Sequence, residues 1–207
     1  MLNLYLVRHG QTEWNIQKRM QGWKNSNLTE LGKRNAIALG EKLKSVTFDA
    51  VYTSTSERAI ETAELIMGNQ NLLIESDENL REIFLGEWEG KTHEELKALY
   101  PEQYNNFWEH PANYKPFNGE TFEEFNNRVS LVLQNIVSNH KKGTVLIVSH
   151  SVFLKSLMMC VKGKEVKDLW TPPYVHDTSL TILELKDNTY RVVVEGDVTH
   201  LNAIKST

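Results

Sequence analysis

Apolar and polar positions follow two rhythms along this chain, and each change of rhythm marks an element. Leu2, Leu4, Leu6 and Val7 lie in a short apolar run over residues 2–7 that stops before Gly10, which predicts a buried strand. Residues 29–44 shift to a helical rhythm, with Ala36, Leu39 and Leu43 on one face and Thr29 placed to cap it. Residues 49–53 predict a second strand. Ser54 and Glu57 then stand at capping-box spacing before Ala59, Ala63 and Ile66, which predicts a helix starting at Ser54. A short strand over 72–75 and a loop rich in Gly and charge over 79–91 follow.

The middle of the chain predicts helices alone. Thr92 and Glu95 repeat the capping-box spacing, and Pro101 ends that stretch. Residues 102–109 predict a short helix carrying Tyr104, Phe107 and Trp108, and Asn118-Gly119 marks a turn. Thr121 and Glu124 open the longest helix, about 122–140, with Phe122, Phe125, Val129, Val132 and Ile136 on one face. Residues 144–149 are the clearest buried strand, and the helix after them runs to about Val161 and stops at Gly163. Residues 178–185 and 190–195 alternate around Lys186-Asp187-Asn188-Thr189, which reads as a hairpin.

Strands alternating with helices predict an α/β fold, a three-layer α/β/α sandwich. The sheet should be mostly parallel, and the hairpin should make it mixed. The strand-free stretch at about 92–140 predicts a helical insertion above the sheet's functional rim, within one domain spanning 1–207.

Composition narrows the possibilities. Hydrophobic residues are 40% and charged residues 24%, ordinary globular values. With 23 basic and 27 acidic residues the net charge is −4, and no run of five Lys or Arg occurs. No nucleic-acid partner is expected, so any phosphate must be held by a few converging arginines. Cys160 is the one cysteine, so no intramolecular disulfide can form, and its apolar neighbours predict a core position. No segment resembles a secretory leader or approaches the roughly 18 apolar residues of a membrane span. A soluble cytoplasmic protein without a membrane partner is the expectation. No HExxH, EF-hand or P-loop pattern occurs, so neither a metal nor another cofactor is expected. Nothing in the pattern sets the oligomeric state.

The candidate chemistry lies at strand ends, where open α/β sheets bind ligands. Arg8 and His9 follow the first strand, Arg58 sits in the first turn after the second, and His150 follows strand 144–149. Guanidinium groups match phosphate oxygens and stay charged at any working pH. A helix N-terminus near Arg58 adds N–H donors. Between two cations, His9 should have a lowered pKa and stay neutral, able to attack phosphorus. Glu82, in Leu80-Arg81-Glu82-Ile83, is the candidate proton donor; the alternative is that it merely pairs with Arg81. His93, His110, His140, His176 and His200 are scattered and predict surface or structural roles, with His176 nearest the rim.

Taken together, these residues resemble the histidine phosphatase superfamily, the phosphoglycerate-mutase-like proteins. Leu6-Val7-Arg8-His9-Gly10-Gln11-Thr12-Glu13-Trp14-Asn15 resembles its signature. Tyr52-Thr53-Ser54 with Arg58-Ala59 and Thr62-Ala63 resembles its second motif. Leu80-Arg81-Glu82 with Gly86-Glu87-Trp88-Glu89-Gly90 resembles its third, and Val148-Ser149-His150 its fourth. The resemblance covers essentially the whole chain. It implies that His9 is a phosphohistidine nucleophile, that Arg8, Arg58 and His150 hold the phosphoryl group, and that Glu82 is the acid/base. Asn15 and the Gln21-Gly22 pair match positions that commonly touch phosphate or substrate.

The broad-specificity phosphatase branch is the nearest resemblance, on the third motif and on the segments Leu169–Tyr174 and Glu195–His200. One departure is Ser151, where the family usually has Gly after its second histidine. Its hydroxyl could bind phosphate, or its side chain could narrow the pocket. The aromatics Trp23, Phe84, Tyr104, Phe107, Trp108, Phe117, Trp170 and Tyr174 either line a pocket for hydrophobic leaving groups or pack the insertion. The expected partner is a small phosphate ester, with inorganic phosphate as product. Three activities stay open: a phosphomonoesterase, a phosphoglycerate-mutase-type transferase, and a non-catalytic phospho-ligand binder.

Overall fold

The computed structural model describes residues 1–201 and centres on one six-stranded sheet. In chain order come β1 (Leu2–Arg8), α1 (Glu13–Ile16), α2 (Glu30–Leu43), β2 (Ala50–Ser54), α3 (Glu57–Met67) and β3 (Ile74–Asp77). Then follow α4 (His93–Leu99), α5 (Pro101–Glu109), α6 (Phe122–Asn139), β4 (Gly143–Ser149), α7 (Ser151–Val161), β5 (Leu180–Lys186) and β6 (Thr189–Asp197). The strand order is β3-β2-β4-β1-β5-β6. The first four strands run parallel, and β5 and β6 add an antiparallel edge. The expected mixed α/β sheet is therefore present.

Strand β4 shows why the layers form. Val145 through Val148 are all fully buried, because β4 lies between β1 and β2 with helices on both faces. Val145 and Ile147 join a core with the faces of α6 and α7; Leu146 and Val148 join one with α2 and α3. Each such side chain contributes about 1.5–3 kcal/mol relative to exposure. A charge at either parity of this strand would remove one of the two cores. The hairpin closes through Asp187 and Asn188, both at positive φ, the backbone that a two-residue turn requires.

Three local expectations change. The strand expected at 72–75 lies at Ile74–Asp77, because β2 pairs Val51–Ser54 with those residues. The helix expected from Ser54 begins at Glu57, with Ser56 as its cap and no side-chain capping bond. Ser54 stays in the sheet opposite Asp77, and its hydroxyl accepts the Ser56 N–H at 3.2 Å and meets His150. Cys160 is half-buried between α7 and α6, with its Sγ 3.3 Å from the Ser130 hydroxyl, and is not a core residue.

The expected caps at Thr29, Thr92 and Thr121 are present, the last two as full capping boxes. The 79–91 loop holds two short 3-10 turns, and Leu80, Ile83, Leu85 and Trp88 bury its apolar side. No helix among the described residues is long and apolar enough to cross a membrane.

Candidate active site

Strand ends build the floor of the site. The end of β1 extends alongside β4 through the His9 N–H donating to Ser149 O at 2.9 Å. Thr178 N–H reaches the Arg8 carbonyl at 3.1 Å from the other side, so both flanks of the Arg8-His9 turn are tied. Gly10 N–H donates to Thr62 Oγ1 at 2.9 Å, and a Cβ at Gly10 would come 2.9 Å from the Gly32 carbonyl oxygen. Only glycine allows α2 to approach this closely.

His9 is buried, and its Nδ1 lies 2.7 Å from the Gly10 carbonyl. A carbonyl only accepts, so Nδ1 carries the proton and Nε2 keeps its lone pair. Burial, then Arg58, then Arg8 hold the His9 pKa well below its ordinary value, and the Gly10 contact opposes them. The expected direction is present, but burial leads and the cations come second.

Arg58 is 1% exposed and is held as a rigid fork. Its Nη1 donates to Lys24 O at 2.7 Å, and its Nη2 donates to Gly22 O at 2.8 Å and to His150 Nδ1 at 3.1 Å. Burial lowers its pKa to about 10, so it remains cationic near neutral pH. Arg8 donates from Nη1 to Val175 O at 2.9 Å. Both Arg8 Nε and Arg58 Nε are buried and have no hydrogen-bond partner among the described residues. A buried guanidinium N–H left without an acceptor is costly unless a ligand completes it.

His150 lies beneath the others, its ring centroid 5.2 Å from that of His9. Because Arg58 donates to Nδ1, the neutral ring carries its proton on Nε2, which meets Ser54 Oγ at 2.8 Å. Burial, with Arg58 next, lowers the His150 pKa well below its ordinary value.

Glu82 is buried against the start of α7. Its Oε1 accepts Ile83 N–H at 3.1 Å and Phe153 N–H at 3.0 Å, and its Oε2 accepts Val152 N–H at 3.0 Å. The carboxylate thus caps the N-terminus of α7, where His150 itself makes no side-chain cap. Burial raises the Glu82 pKa, against these N–H bonds and Arg58. The alternative pairing with Arg81 is absent: Arg81 Nε donates to Thr55 Oγ1 at 2.6 Å, and its guanidinium lies 4.8 Å over the Trp23 ring.

A cavity of about 400 Å³ opens over this floor. Arg8, His9, Arg58 and Glu82 line it, and so do Asn15, Gln21, Gly22 and Ser151. His150 is not in its lining. Asn15 already spends Oδ1 on the Thr12 N–H at 3.0 Å, in the capping box of α1. Gly22 acts through its carbonyl on Arg58, and its φ of +53° suits glycine. Ser151 Oγ is turned toward Glu82 Oε2, at 3.4 Å.

Met20, Leu85, Trp108, Trp170 and Tyr174 supply the apolar wall. Of the aromatics considered, Phe107 packs the insertion against Trp88 and Tyr114, and Phe117 packs on Tyr100. Trp23 lies against Phe84. Arg19, His93 and Lys155 also line the cavity, and sequence reasoning passed over all three in that role. His176 borders a neighbouring polar pocket that shares Arg8.

Comparison with known proteins agrees with this geometry. A family model described as histidine phosphatase superfamily (branch 1) matches residues 4–198. The solved structure of Bacillus stearothermophilus YhfR is similar at a TM-score of 0.94 and 48% identity, covering 97% of this chain and 100% of that one. Phosphoserine phosphatase 1 of Hydrogenobacter thermophilus is 32% identical over 171 residues, 83% of this chain and 81% of that protein. A 2,3-bisphosphoglycerate-dependent phosphoglycerate mutase of Bartonella tribocorum is 36% identical over 167 residues, 77% of this chain and 81% of that protein.

Proposed function

The chain belongs to the histidine phosphatase superfamily, and from that premise we propose that it hydrolyses small phosphate monoesters through a phosphohistidine on His9. One observation carries the reading. Arg8 and Arg58 line one cavity with His9, each keeps a buried Nε–H with no hydrogen-bond partner among the described residues, and His9 Nδ1 is already engaged. Those donors suit the oxygens of a phosphoryl group better than any neutral ligand.

The steps balance without a further reagent. The His9 Nε2 lone pair attacks phosphorus, and the P–O ester bond breaks toward the leaving oxygen. Glu82 gives that oxygen its proton, and the alcohol departs. Water then loses a proton to the Glu82 carboxylate and attacks phosphorus. The P–N bond breaks, and inorganic phosphate leaves with His9 and Glu82 restored. Arg8 and Arg58 hold the transferring oxygens in both steps, and His150 supports Arg58 from below.

Within the family we assign the chain to broad-specificity phosphatases, on the apolar wall. A mutase reading has its own support in the Bartonella relative. Two assays decide. Radiolabelled ester should leave an acid-labile label on the protein, and His9→Ala should lose both label and turnover while remaining folded. Turnover retained in His9→Ala overturns the nucleophile assignment. With 3-phosphoglycerate, phosphate release should outpace isomerisation; the opposite result makes the chain a mutase.

A further inference from the structure

The acid loop is held from outside the pocket by a residue that touches no substrate. Arg128 lies on α6, away from the cavity lining, with its guanidinium 4.9 Å from the Phe125 ring centroid. Its Nη1 donates to Asn79 O and to Arg81 O, both at 2.8 Å. Its Nη2 donates to Glu82 O at 3.1 Å and to Glu120 Oε2 at 2.7 Å, and its Nε donates to Glu120 Oε1 at 2.9 Å. Those five bonds use every N–H donor a guanidinium has. Glu120 in turn accepts Phe84 N–H at 2.8 Å, and its own N–H donates to Phe84 O at 2.8 Å. The Arg128–Glu120 pair therefore grips residues 79–84 on both sides of Glu82.

A surface ion pair is worth little, but this pair is different in kind. It is mostly buried, bidentate, and spends three of its donors on backbone carbonyls of a loop without regular strand pairing. The carboxyl of Glu82 has no freedom beyond what its backbone allows, because Ile83, Val152 and Phe153 N–H groups already fix its plane. Moving the 79–84 backbone moves the carboxyl against α7 and against the leaving oxygen.

We propose that Arg128 is the positioning residue for Glu82: it fixes the proton donor by holding three carbonyls of its loop, with Glu120 as its anchor. The inference rests on the reading of Glu82 as the acid. Lysine keeps the charge but cannot reproduce a planar fork with five donors.

Leaving groups separate positioning from mere folding. An alkoxide must be protonated as it departs, whereas p-nitrophenolate departs unaided. The measurement is kcat/KM for 3-phosphoglycerate and for p-nitrophenyl phosphate, in wild type, Glu82→Gln, Arg128→Lys and Glu120→Gln. The ratio within one preparation is unaffected by any inactive fraction. In Glu82→Gln the alkyl ester should lose far more than the aryl ester. If it does not, the acid assignment fails and takes this inference with it. In Arg128→Lys the alkyl-to-aryl ratio should fall about 10- to 100-fold, the cost of displacing a catalytic group by about an ångström. Glu120→Gln should shift the ratio the same way by less. If Glu82→Gln discriminates but Arg128→Lys lowers both substrates equally, the acid assignment stands and Arg128 is a purely structural residue.

Discussion

The floor and the wall of this pocket are built on opposite terms. The floor is Arg8, His9 and Arg58, with His150 beneath them, all buried, and the first three are fixed by backbone carbonyls of Val175, Gly10, Gly22 and Lys24. The wall is Met20, Leu85, Trp108, Trp170 and Tyr174, carried by loops and the strand-free helical stretch, with Tyr174 66% exposed. Rigid elements hold charge where a phosphoryl group demands it, and the more open wall meets whatever the phosphate is attached to. The contrast implies separable functions: the floor sets the rate for every ester, and the wall sorts esters from one another.

The largest test of that separation is Arg58→Ala. Losing one preorganised donor to a transition-state oxygen typically costs about 10²–10³-fold in kcat. The loss should be the same for p-nitrophenyl phosphate, naphthyl phosphate and a small alkyl phosphate, because none of the leaving groups meets Arg58. Inhibition by vanadate should weaken in parallel. A loss confined to one ester would place Arg58 in leaving-group recognition and erase the division between floor and wall.

The wall should answer in the other currency, KM. Tyr174→Ala removes an exposed ring, so folding should be unaffected. An aromatic contact of about 0.5–1.5 kcal/mol predicts a roughly 2- to 10-fold rise in KM for naphthyl phosphate. Turnover at saturation should hold, and the small alkyl ester should be almost indifferent. A fall in kcat shared by all esters would make the loop at 174–176 part of the floor, through the Arg8 bond to Val175 O.

The same contrast governs what the chain discloses before it folds. Arg8, His9, Arg58 and His150 are legible because short apolar runs announce the strands, and strand ends are where such sheets bind. Ser54 misleads, since a Ser three residues before a Glu is an equally good helix cap; only the pairing of β2 with β3 keeps it in the sheet beneath His150. Glu82 is ambiguous in sequence because its neighbour is Arg81. Stacking on Trp23 removes Arg81 from contention, and that contact bridges residues far apart in the chain. Arg128 is invisible for a different reason. A mid-helix arginine beside an apolar face reads as solvated, and its partners are carbonyls, which every residue has. The wall is least legible of all, because aromatics that line a pocket and aromatics that pack a helix have the same spacing.

Ser151 sits where floor and wall meet, and it should produce the smallest effect. Its hydroxyl donates to Glu82 Oε2 across 3.4 Å, a long bond that favours the ionised carboxylate. Burial pushes the Glu82 pKa up against the N–H groups of Val152, Ile83 and Phe153, and a hydroxyl donor acts in the same sense as those groups. Removing the hydroxyl should therefore raise the Glu82 pKa further. An acid donates only while protonated, so kcat/KM for an alkyl ester, which spans the steps up to departure of the alcohol, falls as pH rises through that value. In Ser151→Ala the alkaline limb should move to higher pH. A net hydrogen bond of about 0.5–1.5 kcal/mol caps the shift near one pH unit, and the long distance argues for about half of that or less. The acid limb belongs to His9, whose lowered pKa keeps Nε2 available well below pH 6.5, and it should stay in place. Ser151→Gly distinguishes hydroxyl from backbone. Equal shifts in the Ala and Gly variants assign the effect to the hydroxyl, whereas a shift in Gly alone assigns it to the first turn of α7, whose N–H groups hold Glu82.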